Sequence, residues 1–291
     1  GASGVVYLAK ETRGGGRICA LKVGNLVSES RFQREVAAMG AVEHEHLIDL
    51  WGSGKLSDPP SRYWISMPNA GGLTLADLLN QGQLDLPEKL RLMSEVLSGL
   101  AALHSAGLVH RDLKPANVLV TPTLSVRLAD FGLSKESVRT GEAKMTAINV
   151  GLEGTPAYMS PEQVNEVSST GAEVDVWAFG IMLFEVLRGE RPFRGQNIMR
   201  LGMEILTKPI ELDPTYIPQE LIPIIRKCLT RELSERYSNA LNIVQSYQDS
   251  TQVVISRFMH NQQRNIWHTL EQEQAFIKYS TIQELKNRIE K

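Results

Sequence analysis

His110-Arg111-Asp112-Leu113-Lys114-Pro115-Ala116-Asn117 is followed by the apolar run Val118-Leu119-Val120 and then, further on, by Asp130-Phe131-Gly132. A short apolar run bounded by polar and proline residues reads as a buried strand between two loops. Asp112, Asn117 and Asp130 thereby gather carboxylate and amide oxygens around one strand. Such hard oxygens suit Mg2+, which keeps several positions for water or substrate phosphates rather than filling a protein cage. The stretch points to phosphate chemistry.

Working outward, the chain has 291 residues, 42% of them hydrophobic and 22% charged, an ordinary globular composition with ample material for a core. Its 31 Lys and Arg against 33 Asp and Glu leave a net charge of -2, which favours neither nucleic acid nor an anionic membrane surface. Cys19 and Cys228 stand in unrelated segments, without metal-ligand spacing, as in a reducing compartment. The longest apolar run, 176–184, is far shorter than a membrane span of about 20 residues, and no segment resembles a signal peptide. A cytoplasmic chain without membrane contact is expected. Gly1 rather than Met opens it, so it reads as part of a longer protein.

Before the decisive stretch, Gly1 to Ala9 reads as a glycine turn running into a strand, and Thr12 to Arg17 as a hairpin turn into the strand Ile18 to Val23. Alternation puts Lys22 on the same face as Ile18 and Ala20, an unusual place for a solvated lysine. Ser30 to Met39 has helical spacing, with Phe32, Val36 and Met39 as its buried stripe, a Ser30/Gln33 capping box, and Glu35 beside the stripe as a partner for Lys22. Leu47 to Gly52 and Tyr63 to Met67 read as further strands. From Gly71 the pattern turns helical: Thr74 to Asn80, Pro87 to His104, the almost wholly apolar Asp175 to Arg188, Leu221 to Thr230 and Ser238 to Tyr247. Ser250 to Lys291 is polar, with Ile282, Leu285 and Ile289 at helical spacing behind a Thr281/Glu284 capping box.

Taken in order, the glycine turn, Ala20-Leu21-Lys22, the His110-Arg111-Asp112 loop, Asp130-Phe131-Gly132 and Ser160-Pro161-Glu162 resemble the eukaryotic-type (Hanks-type) serine/threonine protein kinase family over residues 1–249. The resemblance implies an α+β, bilobal protein kinase-like fold. Residues 1–67 would form a small antiparallel β-sheet lobe with one helix, lacking the family's first strand. Residues 68–70 would be a hinge, 71–249 a larger, mainly α-helical lobe, and 250–291 a helical extension or linker. Tyr158 to Gln163 is worded most like the bacterial members.

The same resemblance implies ATP and Mg2+ as cofactors and protein Ser/Thr hydroxyls as acceptors. Gly1 and Gly4 would cover the phosphates, with Val6 and Ala20 against adenine. Lys22, paired with Glu35, would hold the α and β phosphates. Met67 would be the gatekeeper, and the hinge would offer the Pro68 carbonyl and the Ala70 NH, proline having kept its carbonyl where an acidic residue is more usual. Asn117 and Asp130 would bind the metal; Asp112 would orient the acceptor hydroxyl and take its proton; Lys114 would reach the transferred phosphate; Thr155 would bond Asp112 and Lys114. Glu162 with Arg236 would be a structural ion pair, and Asp175 would brace the catalytic loop. The polar segment with Ser137, Thr140 and Thr146 would be regulated by phosphorylation at Thr140 or Thr146, received by Arg111. A nucleotide-binding relative without catalysis is disfavoured because Lys22, Asp112 and Asp130 are all present; a small-molecule phosphotransferase is disfavoured by Thr155 and Ser160-Pro161-Glu162.

Overall fold

Strands β1 (Val5–Lys10), β2 (Ile18–Asn25), β3 (Gly52–Leu56) and β4 (Arg62–Pro68) form an antiparallel sheet in the order β1-β2-β4-β3. The computed structural model describes residues 5–12, 15–25, 29–56, 62–82, 84–131, 156–165 and 170–264. In β4 the alternation is regular: Tyr63, Ile65 and Met67 are buried and their neighbours half-buried. Helix α1 (Glu29–Ala41) covers the Tyr63 face, where the Phe32 ring stacks on Tyr63 at 4.2 Å between centroids. It begins at Glu29, so Ser30 lies inside the first turn rather than at the cap expected for it.

The expected strand at Leu47 to Gly52 is displaced, because the sheet strand begins at Gly52 and Leu47 makes only an isolated parallel bridge to Leu128. The reason lies in the backbone hydrogen bonds: Leu128 N–H donates to the His46 carbonyl at 2.8 Å, and Ile48 N–H to the Leu128 carbonyl at 2.9 Å. These residues pair across to the large lobe instead of within the small sheet. Gly99 permits the close approach, since a Cβ there would lie 2.8 Å from the His46 carbonyl oxygen.

The large lobe continues with β5 (Leu73–Thr74), α2 (Leu75–Gln81), α3 (Leu86–Ser105), β6 (Val118–Val120) and β7 (Val126–Leu128), the strands pairing as β5-β6-β7. Capping boxes start both helices: Thr74 with Asp77 for α2, and Asp85 with Glu88 for α3. After the short α4 (Pro161–Val164), helix α5 (Glu173–Arg188) is buried nearly all round, as its composition predicts. Leu90, Met93, Val96, Leu97 and Leu100 of α3 are buried in the same core as Trp177, Phe179 and Leu183 of α5. Helix α6 (Ile198–Thr207), absent from the sequence reading, buries only Leu201 and Ile205. Helix α7 (Ile222–Cys228) meets α5 at Gly180, where a Cβ would lie 2.7 Å from that of Cys228.

The last described helix, α8, runs unbroken over 241–264 and so passes through position 249. Its inner stripe explains its length. Tyr247 is fully buried, edge-on to Phe179, and its hydroxyl donates to the Leu90 carbonyl at 3.0 Å; one and two turns on, Thr251 is half-buried and Val254 is buried. Arg257 pairs with Glu220 beyond that. Among the described residues no helix is long and apolar enough to cross a membrane. The Thr281/Glu284 cap and its apolar positions lie outside the described residues.

Replacing Val254 by Ala removes two methyl groups from a well-packed site and should lower stability by about 1–2 kcal/mol, read by urea unfolding. An unchanged midpoint would mean that α8 contributes nothing to the domain beyond residue 250.

Candidate active site

Register brings the small-lobe half together. In antiparallel pairing, opposed residues share a face. Val6 faces Lys22 and Ala20 faces Leu8 across β1–β2, while Lys22 faces Ile65 and Ala20 faces Met67 across β2–β4. Val6, Ala20, Lys22 and Met67 therefore line one side of the sheet, with Val6 exposed and Met67 buried. Pro68 ends β4 opposite Cys19, and Ala70 follows in the connection to the large lobe.

Lys22 is 7% exposed and donates from Nζ to Glu35 Oε1 and to Asp130 Oδ1, both at 2.8 Å. Burial alone would lower its pKa, but the attraction of Asp130 and then Glu35 outweighs it, and the ammonium is held above its ordinary value. A buried cation with two anionic partners keeps its charge. The spacing that put Lys22 on an apolar face and Glu35 beside the helix stripe is thus resolved by direct pairing.

The β6–β7 hairpin supplies the other half. Val118 pairs with Leu128, and Ala129 N–H donates to the Asn117 carbonyl at 3.0 Å, so Asn117 and Asp130 emerge side by side from its open end. Asn117 donates from Nδ2 to the Asp112 carbonyl at 2.7 Å and to Asp112 Oδ2 at 3.1 Å. Lys114 Nζ donates to the same Oδ2 at 2.8 Å. Both Asn117 bonds use its nitrogen, so neither occupies Oδ1. Asn117 Oδ1 and the Asp130 carboxylate are a pair of hard oxygens, and among the described residues no group of three or more His, Cys, Asp or Glu could hold a metal. A two-oxygen set fits Mg2+, which completes its shell with water and phosphate, and does not fit a closed zinc site.

Behind the loop, Asp175 near the start of α5 is 1% exposed and accepts from His110 N–H at 2.6 Å, Arg111 N–H at 2.7 Å and His104 Nε2 at 3.0 Å. Ala240 N–H donates to His104 Nδ1 at 2.9 Å, which fixes Nε2 as the protonated nitrogen. Sequence reading missed His104, which stands on the edge of α3 next to the apolar Leu103; no local signal marks its long-range partners. It also missed Glu185, the acceptor of the Tyr158 hydroxyl. Burial pushes the Glu185 carboxyl up, against the Tyr158 hydrogen bond and the Arg191 charge.

Arg111 and Asp130 have φ of 68° and 61°, a left-handed conformation unusual for side chains of this size. Phe131 is buried edge-on to His110, with centroids 6.2 Å apart. His110 is itself fully buried; desolvation pushes its pKa down, against the attraction of Asp175, Asp112 and Asp130, and it stays neutral. Arg236 meets Glu162 at 2.7 and 3.2 Å and lies over the Trp177 ring, bracing the start of α4. Gly1, Gly4 and Thr155, with Ser137, Thr140 and Thr146, lie outside the described residues.

A small β-sheet lobe carrying Lys22 and Glu35, set against a mainly helical lobe carrying Asp112, Asn117 and Asp130, defines the bilobal α+β class expected from the sequence. Residues 1–250 match the protein kinase domain family, and the chain belongs to that family. It is similar to the probable serine/threonine-protein kinase PknB of Lactococcus lactis, 32% identical over 257 residues that cover 84% of this chain and 40% of that protein. Serine/threonine-protein kinase PknL of Mycobacterium tuberculosis is 32% identical over 216 residues, 73% of this chain and 52% of its own. Serine/threonine-protein kinase AfsK of Streptomyces coelicolor is 33% identical over 242 residues, 81% of this chain and 29% of its own. The chain thus spans about half or less of the length of these relatives.

A neutral buried His110 has a folded pKa below its unfolded one, so its contribution is complete above about pH 6.5 and is lost as the pH falls through the folded value. Urea unfolding between pH 7.5 and 5 should show stability falling on the acid side, and His110→Phe should make that fall shallower. An equal slope in both proteins would show that His110 is not part of the acid response.

Proposed function

We propose that the chain is the catalytic part of a serine/threonine protein kinase that transfers the γ-phosphate of ATP, with Mg2+, to hydroxyls of protein substrates. The observation that carries this reading is Lys22 bridging Glu35 and Asp130 at 2.8 Å, while Asp112 sits among Lys114 and Asn117 in the facing loop. The names of the relatives and the Asp-Leu-Lys-Pro wording of residues 112–115 support the serine/threonine branch. Residues 1–249 are taken as the catalytic domain, with 250–291 as its extension.

Each residue then has a task. The hinge would hold adenine through the Pro68 carbonyl and the Ala70 NH, with Val6, Ala20 and Met67, which share one sheet face, as its apolar lining. Lys22 holds the α and β phosphates, and Glu35 holds Lys22. Asn117 and Asp130 are the Mg2+ ligands. Bound Mg2+ offsets the negative charge of the phosphate oxygens. Asp112 turns the acceptor hydroxyl toward the phosphorus and takes its proton as the new bond forms. A weak base suffices there, because positioning and charge stabilisation supply most of the rate in phosphoryl transfer. Lys114 stabilises charge on the group in flight, and Thr155 has, by the family resemblance, the part of bonding Asp112 and Lys114. Gly1 and Gly4 have, by the same resemblance, the part of covering the phosphates.

For control, we propose that phosphate on Thr140 or Thr146 pairs with Arg111 and orders the segment between Asp130 and Glu162. Mass spectrometry after incubation with Mg2+ and ATP is expected to find phosphate on one of them; unmodified protein under conditions of active transfer rules this out.

Asp112→Asn keeps the size of the side chain and its contact to Lys114 but removes the base. Transfer to a protein substrate should fall by about 10²–10⁴-fold while ATP still binds. Equal incorporation by parent and variant would exclude the mechanism.

A further inference from the structure

We propose that Gln163 is a positioning residue, one that sets the backbone of the Asp112 loop from helix α4; this rests on the phosphoryl-transfer reading above. Gln163 is in α4, on the segment that follows Tyr158, and its side-chain amide makes bonds in two directions. Oε1 accepts from Ser160 N–H at 3.0 Å and from the Ser160 hydroxyl at 3.3 Å. Nε2 donates to the Arg111 carbonyl at 3.4 Å. A backbone N–H can only donate, so the Ser160 bond fixes which end of the amide is oxygen and therefore which end faces Arg111.

The Arg111 peptide is where such a bond has leverage. Arg111 is held at φ 68°, a conformation that persists in a non-glycine residue only where its surroundings over-determine it. Its N–H is fixed by Asp175 Oδ1 at 2.7 Å, and Gln163 holds its carbonyl. That carbonyl belongs to the peptide whose nitrogen is the Asp112 N–H, so rotating it would turn Asp112. Asp175 comes from α5 and Gln163 from α4, so the two ends of the strained residue are secured by different elements. Gln163 also shares with Arg111, Asp112, Tyr158 and Asp175 the wall of a narrow cavity behind the loop. Ser160 is fully buried, so the oxygen end of the amide is anchored and cannot follow the loop if it moves.

Gln163→Glu separates the two bonds. The carboxylate still accepts from Ser160, but its second oxygen cannot donate and instead faces the Arg111 carbonyl. Two readouts are taken on the full chain. Hydrogen exchange on nucleotide-free protein should speed up in peptides spanning 109–113 and stay unchanged in α3 and α5. Steady-state transfer to a protein substrate should lose about tenfold in kcat with KM for ATP within twofold, as expected when a reacting group is misplaced without loss of nucleotide binding. Gln163→Met, which lacks both bonds, should show the same exchange pattern and at least the same loss.

Unchanged exchange at 109–113 in both variants overturns the clamp whatever the kinetics. Faster exchange with parental kcat also overturns the proposal, because Gln163 would then be structural only. A parent protein with no more transfer than Asp112→Asn overturns the kinase reading and the catalytic half of the inference together, and the exchange data still decide the clamp.

Discussion

A carboxylate buried at the base of α5 holds the site in shape. Removing an unpaired charge from water costs several kcal/mol, so Asp175 is tolerable at 1% exposure only because it is fully engaged. Two of its three donors are the consecutive backbone N–H groups of His110 and Arg111, and Arg111 then leaves this anchored N–H in a left-handed turn. The third, His104, is fixed in its tautomer by Ala240 at the start of the closing helix. The need to satisfy one charge thus makes the loop geometry, the α3 position and the α8 entry depend on one another. The neutral, buried His110 packs between this arrangement and Phe131, which connects it to Asp130.

The lobes are joined by backbone as well as by charge. Leu128, which exchanges hydrogen bonds with His46 and Ile48, stands two residues before Asp130, the second partner of Lys22. Strand β7 and the two residues after it therefore carry both ties. The backbone tie is insensitive to ligand, whereas Lys22–Asp130 joins groups that both take part in the proposed phosphate chemistry. The Lys22 ammonium, kept charged by Asp130 and Glu35, ties the small lobe to the residue that follows the β6–β7 hairpin.

Much of this was legible in the sequence because it is written in local patterns. Lys22 on an apolar strand face beside a helix bearing Glu35 is a two-term argument from periods of 2 and 3.6, and the structure closes it with a hydrogen bond. The polar residues flanking Val118-Leu119-Val120 likewise follow from strand and loop signals. What escaped was set by partners distant in the chain. Leu47 and Ile48 have strand composition, but the backbone hydrogen bonds on either side of Leu47, at His46 and Ile48, go to Leu128, 80 or more residues on, so the strand began at Gly52 instead. His104 looks like the edge of a helix until Asp175 and Ala240 are placed against it. Helix α6 also escaped, although Leu201 and Ile205 stand one turn apart on its buried face with Met199 and Met203 exposed.

Arg111 and Asp130 share a further property that ties scaffold to chemistry. Both are non-glycine residues in the left-handed region, each costing on the order of 1–3 kcal/mol. Glycine at either position would relieve that cost, and with it the side chain that the site needs. The cost is borne where the backbone is held from outside: Arg111 by Asp175 and Gln163, and Asp130 by the Ala129–Asn117 bond behind it and Lys22 in front. Loss of any one holder leaves the strained residue a route back toward the common regions of backbone space. The functional geometry is therefore sustained jointly by α5, α4, the β6–β7 hairpin and the small sheet, and no one of these elements is sufficient to maintain it.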